Sequence, residues 1–287
     1  MTCPGALVGI DDTALWVVSR GDEAAYPIFL LHGGPGLDHH MYGHYLDPLT
    51  EAGYRLLLVD LRAQGRSEPA PETTWTLERH GQDVIMLARA LGLERYAVLG
   101  HSYGAFVALQ NAVDYPGVAT QTIVSSVLPS ARFLERVWEN LAAFEPVELR
   151  ERVTSSWERE KTVATQDEAK ALLTDQWPFQ FRDPRDPRIA EMLATDETVY
   201  SPDVLRHFAN AEYGGIELED GLGEIGQPTR VLAGRYDRTC VPEGSEVIAN
   251  GVPRGELVIF ERSAHMTYVE EREAYLAAVQ GFLSRTR

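Results

Sequence analysis

The pentapeptide Gly100-His101-Ser102-Tyr103-Gly104 lies between a run that reads as a buried strand, residues 96–99, and a helical stretch, residues 105–115. A strand that turns into a helix over one serine leaves the chain few options. The serine must take a strained backbone conformation, and glycines two residues to either side let strand and helix approach without a Cβ clash. Its hydroxyl then projects into the space at the helix N-terminus, where partial positive charge favours a negative oxygen. In a chain with 24 glycines the bare Gly-x-Ser-x-Gly pattern is a weak signal, and its place between strand and helix is what gives it weight.

The rest of the chain suits that reading. Short apolar runs at 13–19, 27–31, 54–61, 122–127, 230–233 and 256–260 alternate with segments of helical period. This is the pattern of β-α units feeding a mostly parallel sheet. Leu77, Val84, Leu87, Ala88 and Leu91 share one side of a helix that stops at Gly92, and residues 268–283 close the chain as another helix. Residues 131–222 differ: they are rich in Glu, Arg and Trp, show helical periodicity and contain no buried strand pattern. They are expected to form a helical cap inserted into a core made of residues 1–130 and 223–287. Within the cap, residues 177–187, with Pro178, Pro184 and Pro187, read as an irregular turn. The fold class is therefore α/β, a mostly parallel central sheet flanked by helices and carrying an inserted helical cap.

A serine hydroxyl is a poor nucleophile at neutral pH until an imidazole takes its proton, and that imidazole needs a carboxylate to fix its tautomer. Beyond Ser102 there are two histidines, His207 and His265. His265 follows the last strand and precedes the last helix, which makes it the expected base, whereas His207 falls in the cap and reads as an ordinary cap residue. Asp237 closes the strand at 230–233 and is the expected acid, ahead of Asp220 and the cap aspartates. The strand at 27–31 runs into His32-Gly33-Gly34-Pro35-Gly36, a glycine-rich turn able to aim N–H groups at a developing oxyanion. Gly34 N–H and Tyr103 N–H are the expected donors, with His32 bracing the loop.

Charge and cysteine content narrow the partners. Forty-three acidic residues against 26 basic ones give a net charge of -17, which repels nucleic acid and anionic membrane surfaces. Cys3 and Cys240 supply neither a disulfide framework nor metal-ligand spacing, and the chemistry above needs no metal or organic cofactor. The first twenty residues have no leader pattern and no apolar run is long enough to span a bilayer, so a cytoplasmic protein is expected. The expected partner is a small-molecule or short-peptide substrate; the sequence carries no signal of oligomeric state.

These residues resemble the α/β-hydrolases of the prolyl iminopeptidase type. His32-Gly33-Gly34-Pro35-Gly36 is similar to that group's oxyanion motif, proline included. Asp60-Leu61-Arg62-Ala63-Gln64-Gly65-Arg66-Ser67 is similar to its structural Asp-x-x-Gly-x-Gly-x-Ser loop, with Ala63 in place of the first glycine. The resemblance runs through residues 100–104 and from Gly234 onward, and is weak across the cap. It implies an α/β-hydrolase fold, and an aminopeptidase that releases N-terminal proline or a small residue through an acyl-enzyme. It also implies glutamates that hold the substrate's free amino terminus, one in the cap and often one directly after the triad acid. Glu212 is the candidate for the cap position. The other position holds Arg238, a cation expected to repel an ammonium group by about 1 kcal/mol or more at contact distance. That departure leaves room for a carboxylesterase, lactonase or amidase on the same triad, and a non-catalytic ligand receptor is the third alternative. Haloalkane dehalogenases and epoxide hydrolases are excluded, because both need a carboxylate where Ser102 stands.

Overall fold

The computed structural model describes residues 5–286, so Cys3 lies outside the described residues. Eight strands make one sheet: β1 (Ala6–Ile10), β2 (Thr13–Arg20), β3 (Tyr26–Leu31), β4 (Tyr54–Val59), β5 (Ala97–His101), β6 (Gln121–Ser125), β7 (Thr229–Gly234) and β8 (Gly255–Phe260). Their order is β1-β2-β4-β3-β5-β6-β7-β8. β2 runs antiparallel to both its neighbours, and every other pairing is parallel. A parallel sheet is covered on both faces, which is why its strands are near-continuous apolar runs. All of β5 and β6 is buried. Alternate side chains feed opposite layers, Phe29 and Leu31 into one core cluster and Ile28 and Leu30 into the other.

The helices of eight residues or more are α1 (Leu77–Ala90), α2 (Tyr103–Asp114), α3 (Glu135–Ala142), α4 (Val147–Arg159), α5 (Gln166–Gln180), α6 (Pro187–Ala194), α7 (Pro202–Asn210), α8 (Pro242–Gly251) and α9 (Arg272–Leu283). Buried residues of α1, α2 and α8 belong to the first cluster and those of α9 to the second, so the helices lie on both faces of the sheet. α3 to α7 all lie between β6 and β7. The two ends of that helical segment pair with each other: Ala131 N–H donates to Ile216 O at 2.7 Å and Leu218 N–H to Pro129 O at 2.8 Å. Among the described residues no helix is long and apolar enough to cross a membrane.

Two features depart from the sequence reading. β1 is absent from the sequence reading, because its short run ALVGI is apolar without alternation and is mostly exposed at the sheet edge; it is held by its antiparallel register with β2. Residues 177–180, read as part of an irregular turn, instead complete α5, with Pro178 inside the helix. Pro178 costs the helix the bond its N–H would make to the carbonyl of Thr174, and the full burial of Phe179 and Phe181 beside it holds the turn in place.

The loop after β4 is a knot of hydrogen bonds. Asp60 accepts the backbone N–H groups of His39 at 2.9 Å and Arg66 at 2.8 Å, and Ser67 Oγ donates to Asp60 O at 2.6 Å. Ala63 there has φ +58°, in the left-handed region. An L-residue with a Cβ costs about 1–2 kcal/mol in that conformation, against about 0.5–1 kcal/mol of extra chain entropy for glycine. Ala63→Gly is therefore expected to stabilise the fold by about 0.5–1 kcal/mol, read as a higher urea midpoint with unchanged m-value.

Candidate active site

The functional side chains gather at the carboxyl ends of the parallel strands, where ligands bind in open α/β sheets. Ser102, between β5 and α2, has φ +55° and ψ −123°. Neighbouring backbone is what holds it there. Ser102 N–H donates to Ser125 O at 2.9 Å, a Cβ on Gly100 would come 2.0 Å from Gly104 O, and a Cβ on Gly104 would come 2.0 Å from Leu31 O. Strand and helix are thus pressed together at a distance only glycine allows. Tyr103 is the first residue of α2, so its N–H has no intrahelical acceptor. Across from it the turn after β3 passes so near that a Cβ on Gly33 would lie 3.1 Å from Ser102 Cβ. Gly33 N–H donates to Met41 Sδ at 2.7 Å, and Gly34 N–H has no acceptor among the described residues. His32 braces this turn: its Nδ1 lies 2.8 Å from Gly33 O, and its Nε2 accepts Leu61 N–H at 3.0 Å.

His265 Nδ1 lies 2.9 Å from Asp237 Oδ2, with both side chains almost fully buried. Asp237 Oδ1 accepts the N–H groups of Thr239 and Cys240 at 2.9 and 2.8 Å, which points the other carboxylate oxygen at the imidazole. With Nδ1–H donated to Asp237, Nε2 is left free to accept a proton. The ring of His101 packs edge-on against that of His265 at 4.9 Å. Burial holds the His101 imidazole well below its ordinary pKa, so it stays neutral. Ser102, Gly34 and His265 line one cavity of about 870 Å³.

The backbone around His265 is fixed from several sides. Ser126 Oγ, just after β6, donates to His265 O at 2.9 Å. The N–H groups of His265 and Met266 donate to Gln180 O, at the end of α5, at 3.0 and 3.3 Å. Glu270 accepts the N–H groups of Ala264 and Arg182 at 2.8 and 2.9 Å, and burial raises its carboxyl to about 7. None of Ser126, Gln180 and Glu270 carries a motif that would have singled it out.

Neither Glu212, the candidate to hold a substrate amine, nor Arg238, the cation expected to repel one, lies in the cavity wall. Glu212 is exposed and stands outside the cavity lining, at φ +48° in an irregular turn after α7. Four acids line the cavity, Glu160, Glu191, Asp196 and Glu197, and the buried one is Glu160, one residue beyond α4. Its carboxyl accepts Gln176 Nε2–H at 2.5 Å and the Tyr213 hydroxyl at 2.6 Å, and burial raises it to about 7. Val153, Trp157 and Glu160 recur at positions i, i+4 and i+7, all buried; that phase was the available signal. Arg238, expected to repel an ammonium group, is also absent from the cavity lining. Its guanidinium donates to Phe179 O at 3.2 Å, Phe181 O at 2.7 Å and Arg182 O at 3.2 Å, and stacks over the Phe144 ring at 5.3 Å. A cation satisfies the free carbonyls at the end of a helix, and here it docks α5 onto the loop that carries Asp237.

His207 is a tie, with Nδ1 2.9 Å from Glu72 Oε1 and Nε2 3.1 Å from Trp75 O. Asp220 is exposed in a 3₁₀ turn. Asp38, His39 and His40 bring three potential ligand atoms within 4.8 Å of one another. Arg66 already sits in that cluster, 2.9 Å from Asp38 Oδ2 and 3.3 Å from His40 Nδ1, and a guanidinium there repels a metal cation. Removing the carbonyl clamp in Arg238→Ala is expected to cost about 2 kcal/mol, from three charged hydrogen bonds and a ring contact. Chemical denaturation measures this; a gain in affinity for a cationic ligand would instead restore the repulsive role.

Comparison with known proteins follows this geometry. The family profile described as the alpha/beta hydrolase fold matches residues 26–272. A proline iminopeptidase of Clostridioides difficile is 29% identical over 299 residues, covering 93% of each chain. One from Clostridium botulinum is 28% identical over 274 residues, covering 90% of each. The crystal structure of a proline iminopeptidase from Mycobacterium smegmatis superposes with a TM-score of 0.75 at 25% identity, covering 99% of this chain and 98% of that one. The strand order, the serine turn and the matched profile together make this chain a hydrolase of the alpha/beta hydrolase fold family, similar to the proline iminopeptidases.

Proposed function

We propose that the protein is a serine hydrolase working through an acyl-enzyme, an aminopeptidase that releases proline or another small residue from an unblocked N-terminus. Ser102 Oγ attacks the scissile carbonyl while His265 Nε2 takes its proton, and Asp237 steadies the imidazolium that forms. The N–H groups of Gly34 and Tyr103 receive the oxyanion, each contributing about 3 kcal/mol if it acts as such donors do elsewhere. His265 then returns the proton to the departing amine and activates the water that releases the acyl group. The helical segment between β6 and β7 acts as a cap that encloses the substrate and excludes water.

The observation that carries the aminopeptidase reading is Glu160, a buried carboxyl on the wall of the cavity that Ser102 and His265 also line. It faces no cation among its hydrogen-bond partners, Gln176 and Tyr213. A substrate ammonium would supply the missing charge and draw the carboxyl into its ionised form. Names of the relatives point the same way. The esterase, lactonase or amidase alternative drew its support from Arg238, whose guanidinium is engaged with carbonyls at the end of α5. A receptor without activity would have no use for a complete set of nucleophile, base, acid and oxyanion turn.

The test compares a prolyl arylamide with a free amine and a short-chain acyl ester. Ser102→Ala is expected to abolish turnover of the arylamide; ester hydrolysis alone in the wild type would remove the aminopeptidase assignment. Glu160→Gln is expected to raise KM for the arylamide about tenfold to a hundredfold, the worth of one charged hydrogen bond, and to leave the ester unaffected. Because only the ionised carboxylate holds an ammonium and Glu160 titrates near 7, kcat/KM for the arylamide should climb through pH 7 more steeply than for the ester.

Stability gives an independent check. A carboxyl raised from 4.5 to about 7 binds its proton more tightly in the folded state, so stability is greatest below 4.5 and falls as pH rises through 7. Glu160→Gln lacks this loss and should raise Tm at pH 8 more than at pH 5.

A further inference from the structure

The two amides assigned to the oxyanion belong to the turn after β3 and to the start of α2, and both elements are gripped by α7. At the N-terminus of α7, Ser201 N–H donates to Gly36 O at 2.9 Å, and Ser201 Oγ accepts Gly65 N–H at 3.1 Å. Just upstream, Val199 N–H donates to Asp38 Oδ2 at 3.0 Å, and Gly36 N–H donates to Gln64 Oε1 at 2.7 Å. The helix lies so close to the turn that a Cβ on Gly36 would meet Leu205 Cβ at 2.8 Å and Ser201 O at 3.0 Å. Gly36 is two residues beyond Gly34, within the same tight turn.

Further along α7 the fully buried ring of Phe208 packs against that of Tyr103, with centroids 4.9 Å apart. Tyr103 is also fully buried, its hydroxyl sharing a 2.9 Å hydrogen bond with His80 Nδ1. The His80 ring lies 5.6 Å from Phe208 and, kept neutral by burial with a pKa of about 3, completes the pocket. A side chain wedged between Phe208 and His80 leaves the Tyr103 backbone little freedom to rotate its N–H. One helix of the segment between β6 and β7 therefore touches both donors' supports, at points two turns apart along its length.

We infer that α7 sets the oxyanion hole, with Ser201 and Phe208 as positioning residues that align the Gly34 and Tyr103 N–H groups. This rests on the reading of Ser102 as nucleophile. On this view the cap does more than enclose substrate: its seating on the core decides how well the transition state is held. Donors displaced by a fraction of an ångström still admit the ground-state carbonyl and lose mainly the oxyanion. The signature is thus a fall in kcat without a rise in KM.

Wild type, Ser201→Ala, Ser201→Thr and Phe208→Leu would be compared in steady-state hydrolysis of an aryl ester. Each would also be measured for its second-order rate of inactivation by a fluorophosphonate, whose phosphoryl oxygen enters the same hole. Ser201→Ala keeps the main-chain bond to Gly36 but frees Gly65, the neighbour of the Gln64 that holds Gly36 N–H. It and Phe208→Leu are expected to lower kcat about tenfold or more with KM within about twofold, and to slow inactivation by a matching factor. Ser201→Thr, which keeps the hydroxyl, should recover most of the rate. Two variants at separate contacts guard against a folding defect in one. Raised KM with unchanged kcat, or wild-type inactivation rates in both variants, would overturn the inference while leaving the nucleophile intact. A wild-type enzyme that fluorophosphonate does not label at Ser102 would instead overturn the reading beneath it.

Discussion

The backbone of Ser102 is the constraint on which the site depends. A serine at φ +55° is held in place only if the surroundings over-determine it. They do so with groups that side-chain chemistry cannot easily replace: the Ser125 carbonyl, and two glycines at each of which a Cβ would come within 2.0 Å of a backbone oxygen. Because β5 pairs with β3 on one side and β6 on the other, the strain is carried by the middle of the sheet rather than by a loop. The turn that offers Gly34 leaves the end of β3, and Ser126, which grips the His265 carbonyl, follows β6. Ser102, the glycine turn and the loop of His265 are thus referenced to three adjacent strands.

The core of this arrangement was legible because it is written in local signals. Apolar runs ended by Gly, Ser or Asp mark strand ends, and the partners of a nucleophilic serine must lie at such ends. That logic isolates His265 and Asp237, the pair found 2.9 Å apart. β1 escaped because an exposed edge strand has no apolar alternation to read. Glu160 escaped for a different reason. It stands in Glu158-Arg159-Glu160-Lys161, a charged run that looks solvated, and only tertiary packing removes one of the four from water. Glu212 was favoured on resemblance and proved exposed, and Arg238 was read as facing substrate because position along a chain says nothing about which way a long side chain turns.

Two carboxyls that titrate near 7, Glu160 and Glu270, show what the arrangement costs. In each, burial disfavours the charged form and outweighs the hydrogen bonds that favour it. Glu270 is explained by geometry, since it ties Ala264 on the base loop to Arg182 beyond α5. Glu160 likewise joins two elements, Gln176 of α5 and Tyr213 after α7, and in addition lines the cavity. A buried carboxyl in the wall of a cavity is the group that the proposed ammonium site requires.

The docking of α5 also bears on how such a protein can change. Arg238 grips the carbonyls of Phe179, Phe181 and Arg182, and the amides of His265 and Met266 grip that of Gln180. All these acceptors are main-chain oxygens, which every amino acid possesses. The clamp itself therefore asks nothing of the side chains at 180 and 182, whereas Phe179 and Phe181 are fully buried and fixed by packing. Gln180, the one of these four that lines the cavity, can change without loss of that main-chain clamp, so the cavity wall can vary there on a mount that does not vary with it.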